Sequence, residues 1–185
     1  KSDKNENISE EDWKAIRDFK ATTISKSEGI DKNIDEVRSY LNKITEKNYI
    51  PTKESIIAIV NDCEKDGKSS VEDTNKLVGY IFSTASKNSF CSQVYAQLIV
   101  DLLSYSPSIK ELFNENKSSF INQFDNIEAG NPDENYDKFC ELNIVNDQRR
   151  ASSLFLINLM KLDVIIPQEI INIILLLQGS LLEMI

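Results

Sequence analysis

Residues 37–49 read VRSYLNKITEKNY, and the spacing of their apolar side chains sets the reading of the whole chain. Together with Ile34, the residues Val37, Leu41 and Ile44 fall at i, i+3, i+7 and i+10, a single stripe on a helix that turns every 3.6 residues. Tyr49-Ile50-Pro51 interrupts that stripe. Thr52 is placed to cap a second helix, whose Ile56, Ile59, Val60 and Cys63 form a facing stripe before Asp66-Gly67 ends it. A connection this short predicts two antiparallel neighbours.

The pattern recurs. Ser70, with Asp73 three residues later, predicts a capped start for a helix that buries Thr74, Leu77, Val78, Ile81, Phe82 and Ala85. Beyond a break at Lys87-Asn88-Ser89, a further stripe comprises Phe90, Val94, Leu98, Leu102 and Tyr105. Pro107 suits the first position of the next helix, which carries Ile109, Leu112, Phe113, Phe120, Phe124 and Ile127. EAGNPDENYD at 128–137 reads as an exposed loop, and YDKFCELNIV and RRASSLFLINLMKL return to helical spacing. Pro167 then opens a helix through Gln178, after which Gly179-Ser180 is expected to turn into a final apolar stub.

No segment alternates as a strand does, so the expected fold class is all-α. Helix pairs at 34–66, 70–106, 108–163 and 167–185 repeat at about 40 residues, the period of a HEAT-type α-solenoid of antiparallel helix pairs. An irregular helical bundle produces the same stripes, and periodicity alone leaves both open. IILLLQGSLLEMI at 173–185 has none of the polar cap of a terminal repeat, so either the array continues or a partner covers that face.

Composition narrows the chemistry. With 185 residues, 41% of them hydrophobic, the chain is long enough for one core of ordinary size. A net charge of −9 repels phosphate, so nucleic-acid contact would need a local basic patch. The complete lack of histidine removes Ser-His and Cys-His nucleophiles and histidine-ligated metals. Cys63, Cys91 and Cys140 lack the paired spacing of metal sites or small disulfide frameworks, which fits a reduced, cytoplasmic setting and no metal. The carboxylate pairs Glu10-Glu11 and Asp133-Glu134 occur in hydrophilic segments, with nothing around them to place either pair in the desolvated cleft that hydrolytic work requires. Between Val164 and Ile185 the apolar residues are interrupted by Pro167, Gln168, Glu169, Asn172, Gln178 and Glu183, the pattern of a buried helix pair and not of a membrane span. Lysine exceeds arginine, and asparagine and isoleucine abound, the bias an A- and T-rich genome imprints; a protist or a large DNA virus is the expected source. Lys1 at the start suggests a piece of a longer protein.

VRSYLNKITEKNY resembles the helix that opens the middle domain of translation initiation factor 4G, a HEAT-repeat domain reading V-R-x-x-L-N-K-L-T at that place. Val37, Arg38, Leu41, Asn42, Lys43 and Thr45 match, and Ile44 replaces a leucine. NKLVGYIFSTASKNSFCSQVYAQLIVDLL at 75–103 resembles that family's second helix pair through Ile81, Phe82, Ala85, Phe90, Tyr95 and Ala96. LFLINLMKLDVI at 154–165 is similar to its F-I-G-E-L-F-K-L helix through Phe155, Leu159, Lys161 and Leu162, with Ile157 and Asn158 in place of glycine and glutamate. The resemblance implies that the chain stops before the family's last one or two helix pairs.

The resemblance implies a non-catalytic scaffold that grips both lobes of the DEAD-box helicase initiation factor 4A and, in many members, contacts RNA, with no cofactor, membrane or small-molecule substrate. Residues 1–30 would be an amino-terminal arm with a short helix, and 31–185 the middle domain. Two helicase-binding positions carry over: Trp13 on the arm, and Phe82 in the Ile-Phe-x-x-Ala motif. Each also has a local reading. Ser9 and Asp12 fit a helix start against which Ile8 and Trp13 form a hydrophobic staple, and Phe82 lies on an apolar stripe. Arg38 and Lys43 are candidates for acidic helicase residues or RNA phosphate, or are merely solvated. Arg149-Arg150, followed by Ser152-Ser153, suggests a small phosphate-contacting patch. The alternatives are an RNA-processing or decay adaptor on the same fold, and a helical module that homodimerises through its apolar carboxy-terminal face.

Overall fold

A computed structural model describes residues 28–65, 71–124, 127–128 and 130–183. Seven α-helices account for most of them, and no strand occurs among the described residues, so the chain is all-α. In chain order they are α1 (Gly29–Leu41), α2 (Tyr49–Lys65), α3 (Val71–Lys87), α4 (Ser92–Tyr105), α5 (Pro107–Asn122), α6 (Tyr136–Lys161) and α7 (Pro167–Glu183), with a 3-10 turn at Glu46–Asn48 before α2. None is both long and apolar enough to cross a membrane, among the described residues.

Local chemistry sets the boundaries, and in three places, at Thr52, Phe90 and Gly179-Ser180, it corrects the sequence-based expectation. The start of α2 is organised by Asn48, not by Thr52. Asn48 Oδ1 accepts from the Thr45 backbone N–H at 2.6 Å and from its hydroxyl at 2.9 Å, while Asn48 Nδ2 donates to the Lys43 carbonyl at 2.8 Å. Thr52 lies within the helix and is buried. At the turn into α4, Asn88 Oδ1 accepts from the Cys91 backbone N–H at 2.9 Å. That closes the turn with Phe90 pointing outward, 96% exposed, so it is no member of the buried stripe; Tyr105 at the other end is partly exposed as well. Asn135 caps α6 by accepting from the Lys138 N–H at 3.0 Å, and YDKFCELNIV and RRASSLFLINLMKL form one helix of 26 residues. Finally, α7 runs straight through Gly179-Ser180, where nothing crowds the glycine and Ser180 Oγ bonds back to the Leu176 carbonyl at 3.2 Å. A lone glycine costs a helix only about 1 kcal/mol, too little to break one this apolar. Pro107 occupies the first turn of α5, where its missing N–H is harmless. Ser70 lies outside the described residues.

Helices α3 and α4 form the centre. Both lean on α2 and α5, α1 adds to the α2 and α3 side, and α6 packs broadly across α3 and α4, with α7 resting on α6. From α1 to α5 each helix meets its next and next-but-one neighbours. Tyr49 and Lys53 at the start of α2 reach Asp101, and Glu64 near its end accepts from Ser106 Oγ at 2.8 Å, so α2 and α4 run in the same sense. α6 departs from that order by reaching back to α3. Only its carboxy-terminal half is docked: its buried residues are Ala151, Ser152, Phe155, Leu156 and Leu159.

The core is continuous, from Val37 and Leu41 through Ile56, Leu77, Ile81, Phe82, Leu98 and Phe113 to Phe155 and Leu159. One polar group inside it has a structural task. Tyr95, 1% exposed, donates its hydroxyl to the carbonyl of Leu41 at 3.0 Å, a carbonyl at the end of α1 whose other partner is a longer bond of 3.4 Å from the Ile44 N–H. Tyr95→Phe is expected to lower stability by about 1–3 kcal/mol in a urea titration. Burial, with smaller contributions from Cys91 and Tyr80, pushes the Tyr95 pKa up to about 12. Because the folded value lies above the unfolded value of about 10, the native state holds this proton more tightly. The contribution is complete below pH about 10 and drains away as pH rises toward 12, so alkaline melting of Tyr95→Phe should be flatter than wild type over that window. A wild-type curve with no slope there would disprove the assignment.

Candidate functional site

A cleft of about 420 Å³ opens where α4, the end of α6 and the entry to α2 come together. Glu46 and Tyr49 supply one wall, Gln93, Val94 and Gln97 of α4 the second, and Asn158, Lys161 and Leu162 the third. The first turn of α4 follows directly from the turn that Asn88 closes, and burial of Tyr95, Ala96, Leu98 and Ile99 on its inner face leaves Gln93 and Gln97 toward the cleft. Docking of Phe155 and Leu159 into the core leaves Asn158 on the flank of α6 beside α4 and Lys161 further round toward solvent, and both line the cleft.

Tyr49 is held rigidly. Its hydroxyl donates to Asp101 Oδ2 at 2.6 Å, the same oxygen lies 3.2 Å from Lys53 Nζ, and Lys53 sits 5.6 Å from the centre of the tyrosine ring. Burial first, and the bond to Asp101 second, raise the Tyr49 pKa far above the ordinary tyrosine value, so the phenol remains a neutral donor. On the facing wall, Asn158 Nδ2 donates to the buried Ser92 Oγ at 3.0 Å, tying α6 to the start of α4. The cleft therefore presents three amide side chains, one carboxylate and one ammonium on a fixed frame. These are groups that recognise another molecule through hydrogen bonds and charge.

The side chains singled out from sequence are scattered. Trp13 lies outside the described residues. Phe82 is 0% exposed and sits edge-on to Phe113, centroids 5.3 Å apart at 74°; it is a core residue, and its ring offers no surface to a partner. Arg38 is exposed on α1, bonded through Nε to the Tyr80 hydroxyl at 3.0 Å, lying over that ring, and paired with Asp35 at 2.7 Å. Lys43 is exposed in the connection that follows. Arg149 turns inward, donating from Nε to the Gln123 carbonyl at 2.7 Å and from a terminal nitrogen to Asn146 at 2.8 Å, which braces the end of α5 against α6. Arg150 turns outward and pairs with Asp147. Adjacent in sequence, the two guanidinium groups thus have different partners, and Ser152 beside them is buried, its hydroxyl on the Ser86 carbonyl at 3.3 Å.

Tyr49, Gln93, Gln97 and Asn158 were not among the residues singled out from sequence. Polar residues between apolar ones look like solvent-facing positions, and only the packing of three distant helices turns them into one wall. Each cleft residue falls within 37–49, 75–103 or 154–165, but nothing in the spacing of those segments announces a shared wall. Comparison with known protein families, characterised proteins and solved structures finds no match for this chain.

Proposed function

We propose that this chain is a non-catalytic, cytoplasmic adaptor of messenger RNA translation that binds a DEAD-box helicase of the initiation factor 4A type, with its helix pairs acting as a HEAT-like platform. One observation carries the reading: the three separate segments that resemble the initiation factor 4G middle domain converge on a single cleft, bringing Tyr49, Gln97 and Lys161 to one surface. Stacking of α1 to α5 on next and next-but-one neighbours also supports it. A rigid platform of this kind acts by holding the two helicase lobes with higher affinity in their closed, RNA-competent arrangement than in the open one. Arg38 and Lys43 add positive charge on the α1 side for acidic helicase residues or RNA phosphate, while Trp13 belongs to an arm that reaches the same partner.

Pull-down and ATPase stimulation with initiation factor 4A test the proposal. Binding is expected at or below about 10 µM, and Lys161→Glu should weaken it at least about tenfold at an unchanged melting temperature. Trp13→Ala should weaken it as well without loss of helicity. No interaction at tens of micromolar, or full binding by Lys161→Glu, would remove the support for the cleft as the contact surface.

A further inference from the structure

Of the polar side chains that line the cleft, two are already engaged within the protein: the Tyr49 hydroxyl donates to Asp101, and one N–H of Asn158 goes to Ser92. The side chains of Glu46, Gln93, Gln97 and Lys161 make no hydrogen bond or ion pair among the described residues. Gln93 and Gln97 stand one turn apart on the same side of α4, about 6 Å along its axis. Glu46 lies on the wall formed by the entry to α2, and Lys161 on the wall formed by the end of α6. The α4 wall thus presents two unengaged primary amides, and each of the other walls presents one charge, of opposite sign.

We propose that the cleft holds a short extended segment of a partner protein, its backbone against α4, with an acidic side chain toward Lys161 and a neighbouring basic side chain toward Glu46. This rests on the reading of the cleft as the partner-contact surface, and names the part of the partner it takes. Spacing selects the backbone. In an extended chain, residues i and i+2 turn their N–H and C=O groups to the same edge about 6.6 Å apart, close to the separation of the two glutamines. A primary amide both donates and accepts, so each glutamine can meet one N–H and one C=O whatever side chains the segment carries. Val94, half-buried beside them, adds an apolar contact. Charge selects the sequence. Successive side chains leave an extended backbone on opposite sides, so adjacent acidic and basic residues reach opposite walls, whereas charges two residues apart reach the same one. A phosphate backbone is the poorer occupant, because it would set its charges against Glu46 and against a chain of net charge −9.

The test follows the side-chain NH2 signals of Gln93 and Gln97 by NMR in the full chain, with acetyl-Ala-Asp-Lys-Ala-amide as the probe. A Kd of about 0.1–1 mM is expected for wild type. Acetyl-Asp-Ala-Lys-Ala-amide, whose charges fall on one side, should bind about fivefold more weakly, and the first peptide with its backbone nitrogens methylated at least about tenfold more weakly. Glu46→Lys and Lys161→Glu should each cost about tenfold, and the double variant should regain most of it, since the two charges have merely exchanged walls. Both side chains are exposed, so melting should not change, and the rescue is a result that general destabilisation cannot give. Glutamine signals silent to the probe at about 10 mM, equal affinity for the methylated peptide, or a response to oligouridine in place of peptide overturns the proposal. Helicase binding separates it from the reading it rests on. A wild type that binds initiation factor 4A through Lys161 yet ignores the peptides loses the extended segment alone; peptide binding with no helicase interaction removes the helicase and keeps the segment.

Discussion

Phe82→Ala is expected to lower the free energy of unfolding by about 3–5 kcal/mol, seen as a lower urea midpoint at unchanged slope. The ring has no exposure, and its edge-on contact with Phe113 joins α3 to α5. Removing it opens a cavity that two close-packed helices cannot collapse. A double-mutant cycle with Phe113→Ala should return a coupling of about 0.5–1.5 kcal/mol, the usual value for such a ring pair. Phe82→Leu fills most of the space and should cost less than about 1.5 kcal/mol. That milder variant separates packing from contact: it should bind helicase as wild type does. If it abolished binding while leaving stability intact, the helicase-contact role carried over from the resemblance would be restored to Phe82 itself.

The second large effect concerns the long helix. Leu159→Ala should destabilise by about 2–5 kcal/mol, because Leu159 is fully buried where α6 packs over α3 and α4. Leu154→Ala on the same helix, at a side chain 40% exposed, should stay within about 0.5 kcal/mol. The contrast probes the claim that the docked half of α6 does the packing and carries the cleft residues Asn158 and Lys161 with it. Equal losses at the two positions would mean that α6 is seated differently. Because Leu159 lies between those two cleft residues, its truncation should also weaken any partner that binds there, more than the loss of stability alone explains.

These expectations trace a division visible residue by residue. Val37, Leu41, Ile56, Leu77, Ile81 and Leu98 are where their spacing placed them, since the 3.6-residue turn is a local property and a repeated apolar spacing declares a helix and its inner face together. Phe90 obeyed the same spacing and is nevertheless outside, because α4 begins only at Ser92 and Phe90 lies in the turn that Asn88 closes, ahead of the helix's phase. Gly179-Ser180 looked like a turn, yet the apolar residues on either side keep the helix intact. At Arg149-Arg150, adjacency suggested a joint patch, but neighbours on a helix point about 100° apart and meet different surroundings.

From sequence alone came the all-α class, most of the helices and the inward stripes. Only the tertiary structure decided that α6 reaches back to α3, that Tyr49 and Asp101 meet across more than fifty residues, and that three distant segments enclose one cleft. The physical reason is one of range. Periodicity records how each residue is oriented about its own helix axis, whereas burial and site formation depend on which other helix arrives at that face, and that is fixed by the packing of the whole core at once.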